Sequence, residues 1–239
     1  MLGVERSIFY FSEPGPANTD KTLELVRDRA KELGPRKALV SSFSGDSVLK
    51  ALGIMKGSGI EIVCVSGSFG STYRLKDLER WATYNEVRSL KSLMSEWKKR
   101  DLKEVPASLP QSAADRLMKK GVKVVYGADP FSGAPYSIKA TMGGFSSEDI
   151  ILLTLRLMSP GLGVAVESAA KAVDSGAVKA GEEVISTGGT ERGLDTAIVI
   201  RASGSKQLFS EDNGADILEI ICKPRDMRGE SGRLLERRT

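Results

Sequence analysis

Lys37–Lys50 reads KALVSSFSGDSVLK, and this stretch decides the fold. Lys37–Ser42 is a short β-rich run. Phe43–Ser47 breaks it with small polar residues and a glycine, and Val48, Leu49 and Leu52 then recur at helical spacing. A strand that runs through a hydroxyl-rich loop into a helix is the repeating unit of α/β proteins. Ahead of it, Ser7–Ser12 (SIFYFS) predicts a strand that ends at Glu13–Ala17 (EPGPA). Asn18 or Thr19 offers an N-cap for a helix carrying Leu23, Val26, Ala30 and Leu33, which Gly34-Pro35 stops.

Behind it, Ile60–Val65 (IEIVCV) predicts a third strand, and Ser66–Thr72 a loop of small residues. Lys76–Lys103 predicts a long charged helix with Trp81, Val87, Leu90, Leu93, Met94 and Trp97 as its apolar positions. Ser112–Lys120 predicts a shorter helix and Val122–Tyr126 a fourth strand. Gly127–Ser147 reads as a loop of about twenty residues, a length that in compact domains tends to mark function. Asp149–Met158 and Val164–Val173 are apolar enough for buried helices, and Glu183–Ser186, Thr196–Arg201 and Ile217–Cys222 close the chain as strands. Thr187–Asp195 is too short for a helical crossover, so its flanking strands should pair antiparallel, at a sheet edge. The fold class is therefore α/β: a three-layer α/β/α sandwich, its sheet mainly parallel with an antiparallel edge. Residues 1–224 read as one domain and 225–239 as a basic tail.

Composition narrows the chemistry. The 239 residues are 41% hydrophobic and contain no histidine, which removes imidazole bases, zinc hydrolases of the His-ligand type and Ser-His-Asp relays together. Cys64 and Cys222 sit in apolar runs, far apart, with no metal-ligand or disulfide spacing, in keeping with a reducing compartment. No run reaches the roughly 18 apolar residues of a membrane helix, and the N-terminus lacks a secretory pattern, so a soluble cytoplasmic protein without a membrane partner is the expectation. Net charge is +4. From Lys223 onward six basic residues face three acidic ones, so the rest is near neutral and does not indicate a nucleic-acid surface.

Ligands of open parallel sheets bind beyond the carboxyl ends of strands. Ser42, Ser44, Gly45, Asp46 and Ser47 combine hydroxyls and a glycine at a helix start, which suits a phosphate; the same residues also suit a plain helix cap. Ser66 and Gly67 after the third strand, and Thr187, Gly188, Gly189 and Thr190 with Arg192, could shape a cleft beside it. Asp195 and Thr196 follow as anchors of that turn. Walker A, dinucleotide-fold and nucleophile-elbow signatures are missing. The sequence identifies neither a catalytic residue nor a metal site.

Asn18-Thr19, Thr22–Leu25, Arg29–Gly34 and Ala38–Lys50, together with Gly181–Thr190 and Gly193–Ile200, resemble the C-terminal α/β domain of pyruvate kinase. The chain is still more similar to a stand-alone, archaeal-type family of pyruvate kinase C-terminal-domain-like proteins, from about Ser7 to Pro224. The resemblance implies a regulatory fold without the catalytic barrel, in which the loop matching Ser42–Ser47 holds the phosphate of a sugar bisphosphate. It also implies FMN as cofactor, since relatives of the stand-alone type hold it. The loop Ser66–Arg74 departs from those relatives in having no histidine. The expectation is an FMN-binding protein, with a sugar-phosphate or nucleotide sensor and a ligand-free structural oligomer as alternatives. The apolar helix at Asp149–Met158 adds a homo-oligomer to the expected partners.

Overall fold

The computed structural model describes residues 3–34, 37–78, 88–190 and 192–227. Nine strands are described: β1 (Phe9–Phe11), β2 (Lys37–Ser41), β3 (Glu61–Ser66), β4 (Thr72–Arg74), β5 (Glu104–Pro106), β6 (Lys123–Tyr126), β7 (Glu183–Gly188), β8 (Thr196–Arg201) and β9 (Asp216–Pro224). The helices are α1 (Thr19–Leu33), α2 (Asp46–Ile54), α3 (Leu75–Leu78), α4 (Arg88–Lys99), α5 (Gln111–Met118), α6 (Ala134–Met142), α7 (Ser147–Met158) and α8 (Pro160–Asp174).

Seven strands form the central sheet in the order β1-β9-β8-β7-β2-β3-β6. All neighbours are parallel except the two pairs made by β8. The predicted antiparallel pairing of β7 with β8 is present, but its place is not: β8 lies inside the sheet. β9 returns along its far side and β1 adds beyond β9, so the edges are β1 and β6. A two-residue period in each inner strand divides the core. Ala38, Val40, Ile62, Cys64, Ala197 and Val199 face α1, α2 and α5. Leu39, Val63, Val65, Ile198 and Ile200 face α7 and α8 on the other side. Each fully buried aliphatic side chain contributes roughly 1.5–3 kcal/mol, so the two apolar faces hold three layers together.

Several local expectations are corrected. Neither Asn18 nor Thr19 caps α1 with its side chain: Asn18 donates to the Glu13 carbonyl, while the Thr19 hydroxyl donates to Pro16 and accepts the Leu194 amide. Of the helix read over Lys76–Lys103, the described residues hold α3 and α4; α4 ends at Lys99, and Glu104–Pro106 then pairs antiparallel with Thr72–Arg74. Met94 and Trp97 are buried there with Leu75, Leu78 and Val105 in a small satellite core. Trp81, Val87 and the side chain of Leu90 lie outside the described residues, as does the tail beyond Met227. The loop read over Gly127–Ser147 contains α6, with Pro135 in its first turn and Gly143 (φ 77) at its end. It buries no residue, so it carries no amphipathic signal. Helix α7 starts in a capping box of Ser146 and Asp149, as a cap with an acid three residues later should. It buries only Leu152 fully, contrary to its reading as a buried helix, whereas α8 is buried along nearly its whole length. No described helix is long and apolar enough to cross a membrane.

Candidate functional site

The carboxyl ends of β2, β3 and β7 bring the sequence-predicted residues to one edge of the sheet, where they separate into three groups.

The first is the turn from β2 into α2. Gly45 is the N-cap of α2 with φ 91, a left-handed conformation that costs other residues about 1–2 kcal/mol. The Ser42 hydroxyl accepts the Gly45 amide at 2.9 Å and the Ser44 hydroxyl the Asp46 amide at 3.4 Å, so this loop caps itself. Ser47 is buried at the start of the helix. Ser44 and Gly45 also line a cleft of about 400 Å³ between α2 and α5, walled by Leu49, Ala113 and Leu117 and rimmed by Arg116, Lys119 and Lys120. The three cations come from the end of α5 and the turn after it. Sequence reading missed them because basic residues at a helix end look like ordinary solvated capping.

The second group is buried. Thr187 donates to the Leu39 carbonyl at 3.0 Å, while its own carbonyl accepts the Ser41 hydroxyl at 2.6 Å, stitching β7 to β2. A Cβ on Gly188 would stand 2.0 Å from the Gly161 carbonyl oxygen in the first turn of α8, and one on Gly189 2.0 Å from that of Gly193. Asp195 is the hub: it accepts the Gly15 amide at 3.0 Å, the Thr190 amide at 3.1 Å and the Thr196 hydroxyl at 2.9 Å. Thr196 in turn meets Ser159, the N-cap of α8, at 2.7 Å. Burial raises the Asp195 carboxyl above the ordinary range, opposed by these donors. Gly188, Thr190, Asp195 and Thr196 thus tie the β1–α1 connection, the β7–β8 turn and the start of α8 together. Glu191 lies outside the described residues. Arg192 lies over the Phe43 ring at 4.6 Å, joining this turn to the β2–α2 loop.

Ser66 and Gly67 form the third group and lie beneath the segment that follows β5. The Ser66 hydroxyl accepts the Leu109 amide at 2.8 Å, and a Cβ on Gly67 would come within 2.9 Å of the Ala107 carbonyl oxygen. Neither lines the cleft between α2 and α5.

A cluster that the sequence did not single out adjoins Ser66. The buried Lys171 of α8 donates to Asp129 at 2.6 Å and to the Ser66 carbonyl at 3.2 Å. One helical turn earlier, the buried Glu167 accepts the Phe131 amide at 3.0 Å. Desolvation, with repulsion from Asp129, pushes the Glu167 carboxyl up to about 7, against the Phe131 amide, Lys171 and Arg156. A charged pair at i, i+4 reads in sequence as a solvated helix face, and only the sheet order shows that α8 buries it. Burial also pushes the thiols of Cys64 and Cys222 to about 12, leaving them as inert core groups. Among the described residues no group of three or more Cys, Asp or Glu side chains is arranged to hold a metal ion. No protein-family model matches the chain.

Proposed function

We propose that the chain binds a phosphorylated small molecule, FMN first among them, in the cleft between α2 and α5. The observation that carries this reading is the meeting of a helix N-terminus with three cations: Ser44 and Gly45 on one side, Arg116, Lys119 and Lys120 on the other. A helix start and flexible ammonium groups both favour a dianion. The volume lies within the roughly 300–1,000 Å³ of small-molecule sites. In this proposal the cations hold the phosphate and Leu49, Ala113 and Leu117 receive the apolar body of the ligand. A bound flavin would supply the redox chemistry, the chain contributing binding and orientation.

Kinship with the pyruvate kinase C-terminal domain belongs to the same proposal. The α/β architecture, with a strand–loop–helix at Lys37–Ile54 and a β7–glycine turn–β8 unit, is compatible with it. The test is the absorbance spectrum of the freshly purified protein, followed by heat release and mass spectrometry of what comes off. Maxima at about 375 and 450 nm, as for bound flavin, with FMN in the released fraction are the expected result. A colourless protein that FMN neither colours nor stabilises removes the flavin. One observation favours a second reading, a sugar-phosphate or nucleotide sensor: among the described residues no aromatic side chain lines the cleft to stack on a flavin ring. Stabilisation by a sugar bisphosphate and not by FMN would select it.

A further inference from the structure

Glu167 and Lys171 are the two charged side chains that α8 buries, and both hold one short segment, the turn that leaves β6. Lys171 donates to the Asp129 carboxylate at 2.6 Å, and Glu167 accepts the Phe131 amide at 3.0 Å. The Asp129 carbonyl accepts the Gly133 amide at 2.8 Å, directly before α6. Beyond this clasp the chain rests lightly on the fold. Phe131 is the one buried residue of Gly127–Ser146, and α6 is tied to the start of α7 by Lys139 and Asp149 at 3.1 Å.

Lys171 stands between two carboxylates. Asp129 faces it from the turn, and Glu167 precedes it by four residues on the same helix, the order in which an acid and a lysine pair best. With both carboxylates ionised, two negative charges would share one buried ammonium. We propose that Lys171 exchanges partners between them, and so clasps or releases the segment Gly127–Ser146 according to the charge of Glu167. While Glu167 is protonated, Lys171 serves Asp129 and the turn is docked. When Glu167 gives its proton to solvent, it draws the ammonium to itself. Asp129, already 39% exposed, then moves out into water, and the Phe131 amide and α6 follow. Burial is the largest influence on the Glu167 carboxyl; Asp129 from the turn adds to it, while the Phe131 amide, Lys171 on α8 and Arg156 on α7 oppose it. The carboxyl is pushed up to about 7 from 4.5, so the docked state keeps a proton that a released, solvated Glu167 has lost. Docking is therefore complete below the lower value and weakens as pH rises through the upper one.

Amide hydrogen exchange at about pH 5 and about pH 8, corrected for the intrinsic rates of an unstructured chain, tests the proposal on three proteins. In the wild type, the Phe131 amide and the hydrogen-bonded amides of α6 should lose at least about tenfold in protection between the two conditions. Amides of β2 and β3 should keep theirs, which separates local release from global unfolding. Glu167→Gln cannot ionise and should keep the segment protected at both. Asp129→Asn, at a half-exposed position, should bring protection at the lower pH close to the wild-type level at the higher one, with the sheet unaffected. Equal protection at both conditions in the wild type, a loss shared by the central sheet, or a loss that persists in Glu167→Gln overturns the proposal. Asp129→Asn protected like wild type at the lower pH overturns the exchange of partners at Lys171.

Discussion

Gly45 and Glu167 show how much a single position can and cannot disclose. Gly45 was legible: a glycine between serines, after a strand and before a helix, announces a turn with positive φ, and the structure puts it at 91°. Gly45→Asp keeps a residue that tolerates left-handed backbone better than most, but places a carboxylate at the mouth of the cleft. We expect ligand binding to be lost while the melting temperature drops by only a few degrees, as titration and thermal denaturation would show. Glu167 was not legible, because nothing in its neighbours says that water is excluded. Its carboxyl is raised from near 4.5 to about 7 by burial. Between these values the folded chain keeps a proton that the unfolded chain has released, so this group makes stability fall as pH rises from about 4.5 through 7. Glu167→Gln still accepts the Phe131 amide and has no charge to desolvate. Denaturant unfolding should show the advantage of the variant over wild type growing from below pH 4.5 to pH 8 by up to about 3 kcal/mol. An undiminished pH slope in the variant would show that Glu167 is not the group titrating.

At the scale of elements, strands were read well because period-two apolar runs bounded by glycine and proline leave little choice. Helices were read well only where they bury a face. Helix α1 carries Leu23, Val26 and Ala30 inward and ends at Gly34 with φ 80, as its sequence announces. Helix α6 turns no apolar stripe to the core, and the strand Glu104–Pro106 that follows α4 pairs with Thr72–Arg74, thirty residues away, which no local pattern contains. The glycine turn after β7 looked like room for a ligand; Gly188 instead packs directly on the first turn of α8. Gly188→Ala would force its methyl into the Gly161 carbonyl, separating β7 from α8. We expect a loss of more than about 4 kcal/mol, read as failure to recover folded protein or as a large drop in denaturation midpoint. A variant that folds with wild-type stability would show that the strand and helix are not in this contact.

Over the whole molecule, the alternation of strands and helices gave the class of fold but not the order of its strands. The antiparallel strand was expected at an edge because Thr187–Asp195 is short. That β9 and β1 then extend the sheet past it depends on long-range pairings such as Phe9 with Cys222. The strand order likewise brings α5 beside α2, so that Arg116, Lys119 and Lys120, more than seventy residues from Ser44, share a cleft with it. The hydroxyl loop was visible in the sequence and its basic counterpart was not. If these cations hold a phosphate, that group should supply much of the affinity of any ligand they take. Parallel equilibrium titrations with FMN and with riboflavin, which lacks the phosphate, test this most directly in the wild type and in Lys119→Glu/Lys120→Glu. FMN should saturate the wild type at least about tenfold more tightly than riboflavin, a gap of about 1.4 kcal/mol, and the charge-reversed protein should lose that gap. Equal affinities in the wild type, or a preference for FMN that survives charge reversal, would contradict a phosphate site between α2 and α5.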